Sequence, residues 1–179
     1  MLEAGKSALL QKTGEYMGYI DTHKKNVILA WGELKQALKG VSFLTRDSIL
    51  DEMGYRARNH DHSKYSVGEF LAYRQRFYPV PGEDVSEADF QKAWEMHYRT
   101  NDHHWQNWDV HNDTYYGMVD FTCQCLEMIC DWQAMGYVFG DNAIAYYEKN
   151  KGEMEMSDAR RNFVEEVLAL LGEYLAGAE

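Results

Sequence analysis

Between Glu15 and Lys39 apolar residues return at helical spacing: Ile20, Val27, Ala30 with Trp31, Leu34 and Leu38 share one stripe, and His23 falls on it with them. Positions repeating every three or four residues lie on one side of a helix, so that side has to be buried against other elements. Gly40 follows as a residue suited to a helix C-terminus. The stripe turns His23 inward. With only two prolines in 179 residues and many Ala, Leu, Met, Glu, Lys and Gln, the rest of the chain is equally compatible with helix. The expectation is an all-α, single-domain bundle of about six to seven helices spanning residues 1–179. Residues 1–12, with Gly5 and then Gly14 nearby, read as a short helix or a loose arm.

Further helices follow from caps and periodicity. Thr45 or Asp47 caps a second helix through Ile49, Leu50, Met53 and Ala57, which ends at or just before His60 and Asp61. Ser66 with Glu69 forms a capping-box pattern for a third helix over residues 67–77, with Glu69 as the capping residue. Pro79, Pro81 and Gly82 then mark a loop. Ser86 opens a fourth helix whose inward stripe reads Phe90, Ala93 with Trp94, His97, Asn101, His104 and Trp108, if the helix runs that far; otherwise it ends near Asn101 in a His-rich turn. Asp113 or Thr114 caps a fifth helix to about Tyr137, with Met118, Thr122, Cys125, Ile129 and Trp132 as its apolar positions. Asp120, Gln124, Glu127 and Asp131 form a second stripe on it that reads as solvated, except Asp131, which sits in the apolar phrase MICDWQAM. Asp141 and Ser157 cap two closing helices, the last carrying Phe163, Val164, Val167, Leu168, Leu171, Tyr174 and Leu175.

Charge and cysteine usage narrow the function. A net charge of −11 argues against binding duplex nucleic acid, whose backbone is held mainly by Lys and Arg. Cys123, Cys125 and Cys130 are odd in number and lack CxxC spacing, which points to reduced thiols and not to a disulfide frame or a thiolate zinc site. No run of about 18 apolar residues and no signal-peptide pattern is present, so a cytoplasmic protein without a membrane span is expected. Aromatics make up 14% of the chain, with thirteen Tyr, a composition that fills a helical core and can also line a ligand pocket.

The chemistry-bearing residues are concentrated. Asn59–Glu69, NHDHSKYSVGE, places His60 beside Asp61 and follows with His62, Ser63 and Lys64. Imidazole nitrogen and carboxylate oxygen suit Zn, Fe, Mn or Co, and a nearby ammonium can neutralise an anion held on such an ion. His23, His97, His104 and Asp131 are the other inward donors, with His103 to one side of His104. Buried polar groups in succession call for an ion, a water network or a ligand.

In chain order these donors read His23, His60–Asp61, His97, His104, Asp131. That order, with the phrase HDHSK (His60–Lys64), resembles the HD-domain superfamily of metal-dependent phosphohydrolases. The phrases YIDTHKKNV, HDHSKYSVGEF, HYRTNDHHW and EMICDWQAM are similar to a family of small helical proteins of bacteria and their phages that has no assigned activity. The HD resemblance implies one or two divalent ions (Mn, Fe, Zn, Co, Ni or Mg), with His23, His60, Asp61 and Asp131 holding the first. His97 with His104 or His103 then completes a second site or hydrogen-bonds substrate. It departs from two-metal HD proteins in taking His97 and His104 from one stretch. Asp61 and Lys64 would be the catalytic pair, and Lys64, Lys24, Arg56 or Arg58, Asn101 and His103 would bind a small phosphorylated molecule such as a nucleotide, in the cytoplasm of a bacterium or a phage-infected host. Two rival readings stand beside hydrolysis: an HD-type di-iron oxygenase, and a non-enzymatic helical protein held by an ion or a His/Asp cluster and binding a protein partner.

Overall fold

The computed structural model describes residues 2–84, 86–111 and 117–177. Among them the chain is all-helical, with seven α-helices and no strand: α1 (Leu2–Ala37), α2 (Asp47–Asn59), α3 (Phe70–Phe77), α4 (Glu87–Thr100), α5 (Met118–Phe139), α6 (Ala143–Asn150) and α7 (Asp158–Gly177). None is long and apolar enough to cross a membrane. The chain divides into two compact units, Met1–Thr22 with Asp61–Asn101, and His23–His60 with Asp102–Glu179.

The larger unit is built around α5. Thr122–Ile129 are buried without interruption, so this helix is enclosed on nearly every side. It packs on α2, α6 and α7. Val27, Leu34, Ile49, Met53, Leu126, Ile129, Val164, Val167 and Leu171 form the shared core. Truncating one such side chain to Ala costs ~2–5 kcal/mol. Cys123, Cys125 and Cys130 are buried free thiols, and burial pushes Cys123 and Cys130 up, so they pack as small apolar residues. The smaller unit pairs α3 with α4 and surrounds Tyr16, Ile20, Tyr73 and Ala93 with Tyr19, Phe70, Tyr78, Phe90 and Trp94.

Several boundaries differ from expectation. The N-terminal segment is neither a loose arm nor a separate short helix, because α1 runs unbroken from Leu2 and both Gln11 and Lys12 bond Glu15 across one turn. The second helix is capped by neither residue proposed: Thr45 Oγ1 bonds back to the Ser42 carbonyl, Asp47 is already helical, and Arg46 holds the cap position. The third helix starts at Phe70 and not at Val67, since Ser66–Glu69 make a tighter turn and Glu69 spends its side chain elsewhere. Ser86 and Ser157 do cap α4 and α7, accepting from the Asp89 and Arg160 amides. Asn142, not Asp141, caps α6 through the Ala145 amide. The fourth helix ends at Thr100, and Asn101 turns back to the His97 carbonyl through its backbone and side-chain N–H groups. Met118, expected on the buried stripe of α5, is exposed, whereas Gln124 and Glu127, expected in water, are buried. The proposed caps Asp113 and Thr114 lie outside the described residues.

Candidate metal centre

In the larger unit three ligand-type atoms converge from three helices. His23 Nε2 on α1 lies 3.2 Å from His60 Nε2 at the end of α2 and 3.1 Å from Asp131 Oδ1 on α5. His60 Nε2 and Asp131 Oδ1 are 3.6 Å apart. Donors bonded at about 2.0–2.1 Å to one cation sit roughly 3.0 Å apart in octahedral and 3.4 Å apart in tetrahedral geometry, so these separations fit a shared ion. The periodicity of each helix accounts for the placement. His23 lies on the same stripe as Ile20 and Val27, His60 is the residue on which α2 ends, and Asp131 sits one turn beyond the buried Glu127. Both imidazoles are buried, and the Asp131 side chain is 17% exposed.

Glu127 fixes the other side of His60. Its Oε1 lies 2.8 Å from His60 Nδ1 and 3.3 Å from His103 Nδ1. A carboxylate only accepts, so each Nδ1 carries a proton toward Glu127, and the opposite ring nitrogen, Nε2, faces away from it. His60, His103 and Glu127 could by distance hold an ion themselves. Arg56 argues against that, because its Nε donates to Glu127 Oε2 at 2.6 Å and its Nη2 donates to Asp102, so this carboxylate is already matched with a cation. Burial pushes Glu127 up, but His103 and His60 outweigh it and hold its carboxyl well below the usual range. Asp131 follows the same pattern: burial raises it, the hydrogen bonds and charges of His23 and His60 lower it more, and it stays an anion.

The smaller unit carries a second buried polar cluster. Asp61 takes a left-handed backbone (φ 54°), a conformation that Asp tolerates through its short polar side chain, and starts the turn His62–Tyr65. Within that turn Lys64 Nζ returns to Asp61 Oδ2 at 2.6 Å. Asp61 Oδ1 lies 3.3 Å from His97 Nε2, and His97 Nδ1 meets Glu69 Oε2 at 2.8 Å. Asn101 Nδ2 donates to Ser63 Oγ at 2.7 Å. The Tyr73 ring faces both Lys64 and His97.

The expected site residues fall in both units. His23, His60, Asp131, His103 and His104 belong to the larger unit, where the His103 ring lies tilted 4.4 Å from His60 and 4.2 Å from His104. Lys24 and Arg58 belong there too, the first half-buried and the second exposed, while Arg56 is hydrogen-bonded by Glu127 and Asp102 and lies 3.8 Å from Glu52. Asp61, Lys64, His97 and Asn101 belong to the smaller unit. Glu69 is a buried partner of His97 and not a helix cap. Glu127, Asp102 and the role of Arg56 were missed. The spacing of Glu127 to Asp131, one turn apart, was the available signal.

The molecule is thus an all-helical protein with buried His and carboxylate clusters whose ligand atoms stand within cation-binding distance. The chain belongs to the family described as "Family of unknown function (DUF5662)", whose model matches residues 12–172. No curated protein and no solved structure matches it.

Proposed function

We propose that this protein is a metal-dependent phosphohydrolase acting on a small phosphate ester of the nucleotide class. The observation that carries the reading is the convergence of His23 Nε2, His60 Nε2 and Asp131 Oδ1 within 3.1–3.6 Å. Two imidazoles and one carboxylate are a donor set suited to a first-row divalent cation, and three protein ligands leave positions for other molecules. A cation bound there supplies Lewis acidity and lowers the pKa of water toward neutrality. Asp131 contributes the negative charge and a second carboxylate oxygen able to accept a proton. His60 is held in the required tautomer by Glu127. His103 packs its ring on His60 with Nδ1 on the same Glu127 oxygen, which holds the His60 ring in place from a second side. The chain order of these donors and the HDHSK phrase, which resemble HD-domain proteins, support the same reading.

An activity screen with Mn, Co, Ni and Mg against nucleotides and model phosphodiesters tests it. Turnover that needs a cation and is lost in His23→Ala and Asp131→Asn is expected; silence across metals and substrates would overturn it.

A second reading is favoured by one observation: His23 with Asp131, and His60 with Glu127, already pair within the chain. The cluster then only ties α1, α2 and α5 together, with or without an ion. Under it, added cation raises Tm but no substrate turns over.

A further inference from the structure

We infer that Arg56 is a positioning residue which, through Glu127, presets His60 and His103 with Nε2 as the metal- or substrate-facing atom. The inference rests on the metal reading above for its consequence, but its geometry stands independently.

A single carboxylate oxygen, Glu127 Oε1, serves both Nδ1 atoms, at 2.8 Å and 3.3 Å. The other, Oε2, is taken by Arg56 Nε at 2.6 Å. Glu127 is 4% exposed, so no bulk water is at hand to replace either contact. Its rotamer is thus decided by where Arg56 stands. Arg56 is decided in turn by Asp102, which receives its Nη2 and also accepts from Gln124 Nε2 at 3.0 Å. Gln124 Oε1 then accepts from the buried Arg160 at 2.8 Å, and that guanidinium lies 4.0 Å from the centre of the Trp108 ring. The result is a chain of hydrogen bonds running from α7 through α5 to α2. Imidazole has two tautomers of similar energy, and a fixed acceptor on one nitrogen is what selects between them. Removing Arg56 leaves a buried carboxylate whose second oxygen has lost its cation, free to swing from Nδ1.

A purely structural salt bridge would lower stability without altering the rings. The two roles are separated by 15N NMR of histidine-labelled, cation-free protein, compared between wild type, Arg56→Ala, Arg56→Lys and Glu127→Gln. The expected wild type has Nδ1 protonated in both His60 and His103. Arg56→Ala should show mixed tautomers at both rings, and Arg56→Lys should restore them in part, since an ammonium can meet Glu127 but cannot hold the planar fork to Asp102 as well. In parallel, Co titration should show affinity falling by about 10-fold in Arg56→Ala, the lower end of the effect of losing a direct outer partner of a ligating His, because Arg56 acts one residue further out through Glu127. Unchanged tautomers in folded Arg56→Ala overturn the inference. Should Arg56→Ala not fold, Glu127→Gln and Arg56→Lys carry the same comparison, and wild-type rings at both sites in these variants overturn it too. Wild type that binds no Co, with tautomers that still respond to Arg56, defeats the metal reading and leaves the positioning role standing.

Discussion

His23 Nε2 and His60 Nε2 face each other across 3.2 Å, with Asp131 Oδ1 3.1 Å from the first. Glu127 accepts from His60 Nδ1, so the His60 Nε2 is the nitrogen turned toward His23 and Asp131. Something positive has to stand between these atoms, either protons on the imidazoles or a cation shared by all three. That choice separates a hydrogen-bonded core from a metal centre.

The Asp61–Lys64 pair should be expensive to break. Asp61→Ala removes the short polar side chain that lets Asp tolerate a left-handed backbone and leaves the buried Lys64 ammonium without this carboxylate. A total loss of about 3–5 kcal/mol is expected in chemical denaturation. Asp61→Gly should recover only the backbone part, and Asp61→Asn with Lys64→Met should recover most of the loss. Equal stability of Asp61→Ala and wild type would contradict the role assigned to the pair.

How much of this was readable beforehand depended on where each partner lies in the chain. The helices were legible because local periodicity marks them, and His23 because its stripe is apolar on both sides. Glu127 was read as solvated since its neighbours on the stripe are polar, yet its charge is matched by His60 and Arg56, 67 and 71 residues away. Glu69 fitted a capping box by spacing, but His97 competes for its side chain and wins. Caps failed at Asp47 and Asp141 for a simpler reason: the adjacent Arg46 and Asn142 hold those positions, and only backbone angles distinguish neighbours.

Two phenols in the smaller unit are predicted to be stability liabilities. Tyr16 and Tyr73 are buried, and their hydroxyls have no hydrogen-bond partner among the described residues. Burial pushes both up against the opposing effect of Lys64, so they remain neutral. An unsatisfied buried hydroxyl costs ~1–3 kcal/mol, so Tyr16→Phe and Tyr73→Phe should leave Tm unchanged or raise it. A drop worth more than ~1 kcal/mol would show a hydroxyl bonded to an internal water.

Acid should weaken the smaller unit through Glu83. Its hydrogen bonds with Arg74 lower it from 4.5 to about 2. A folded value below the unfolded one means the stabilisation is complete above pH 4.5 and fades as pH falls toward 2. Urea midpoints across that window should fall less steeply for Glu83→Gln than for wild type. Parallel curves would contradict the pairing.

Gly136 should not accept a side chain. A β-carbon there would meet the Asp141 carbonyl oxygen at 2.6 Å and Asn142 Cα at 2.8 Å, both backbone atoms that lead into α6. Gly136→Ala should cost about 1–3 kcal/mol despite the better helix propensity of Ala. A gain in Tm would show that α6 shifts freely.

The most direct test of the metal centre is cation content and affinity of purified wild type against Asp131→Asn, by elemental analysis and Co titration. The account predicts stoichiometric binding in wild type and a loss of at least about 100-fold in the variant, since one of three converging ligands has gone. A wild type that binds no divalent cation, or a variant that binds it equally well, would contradict it.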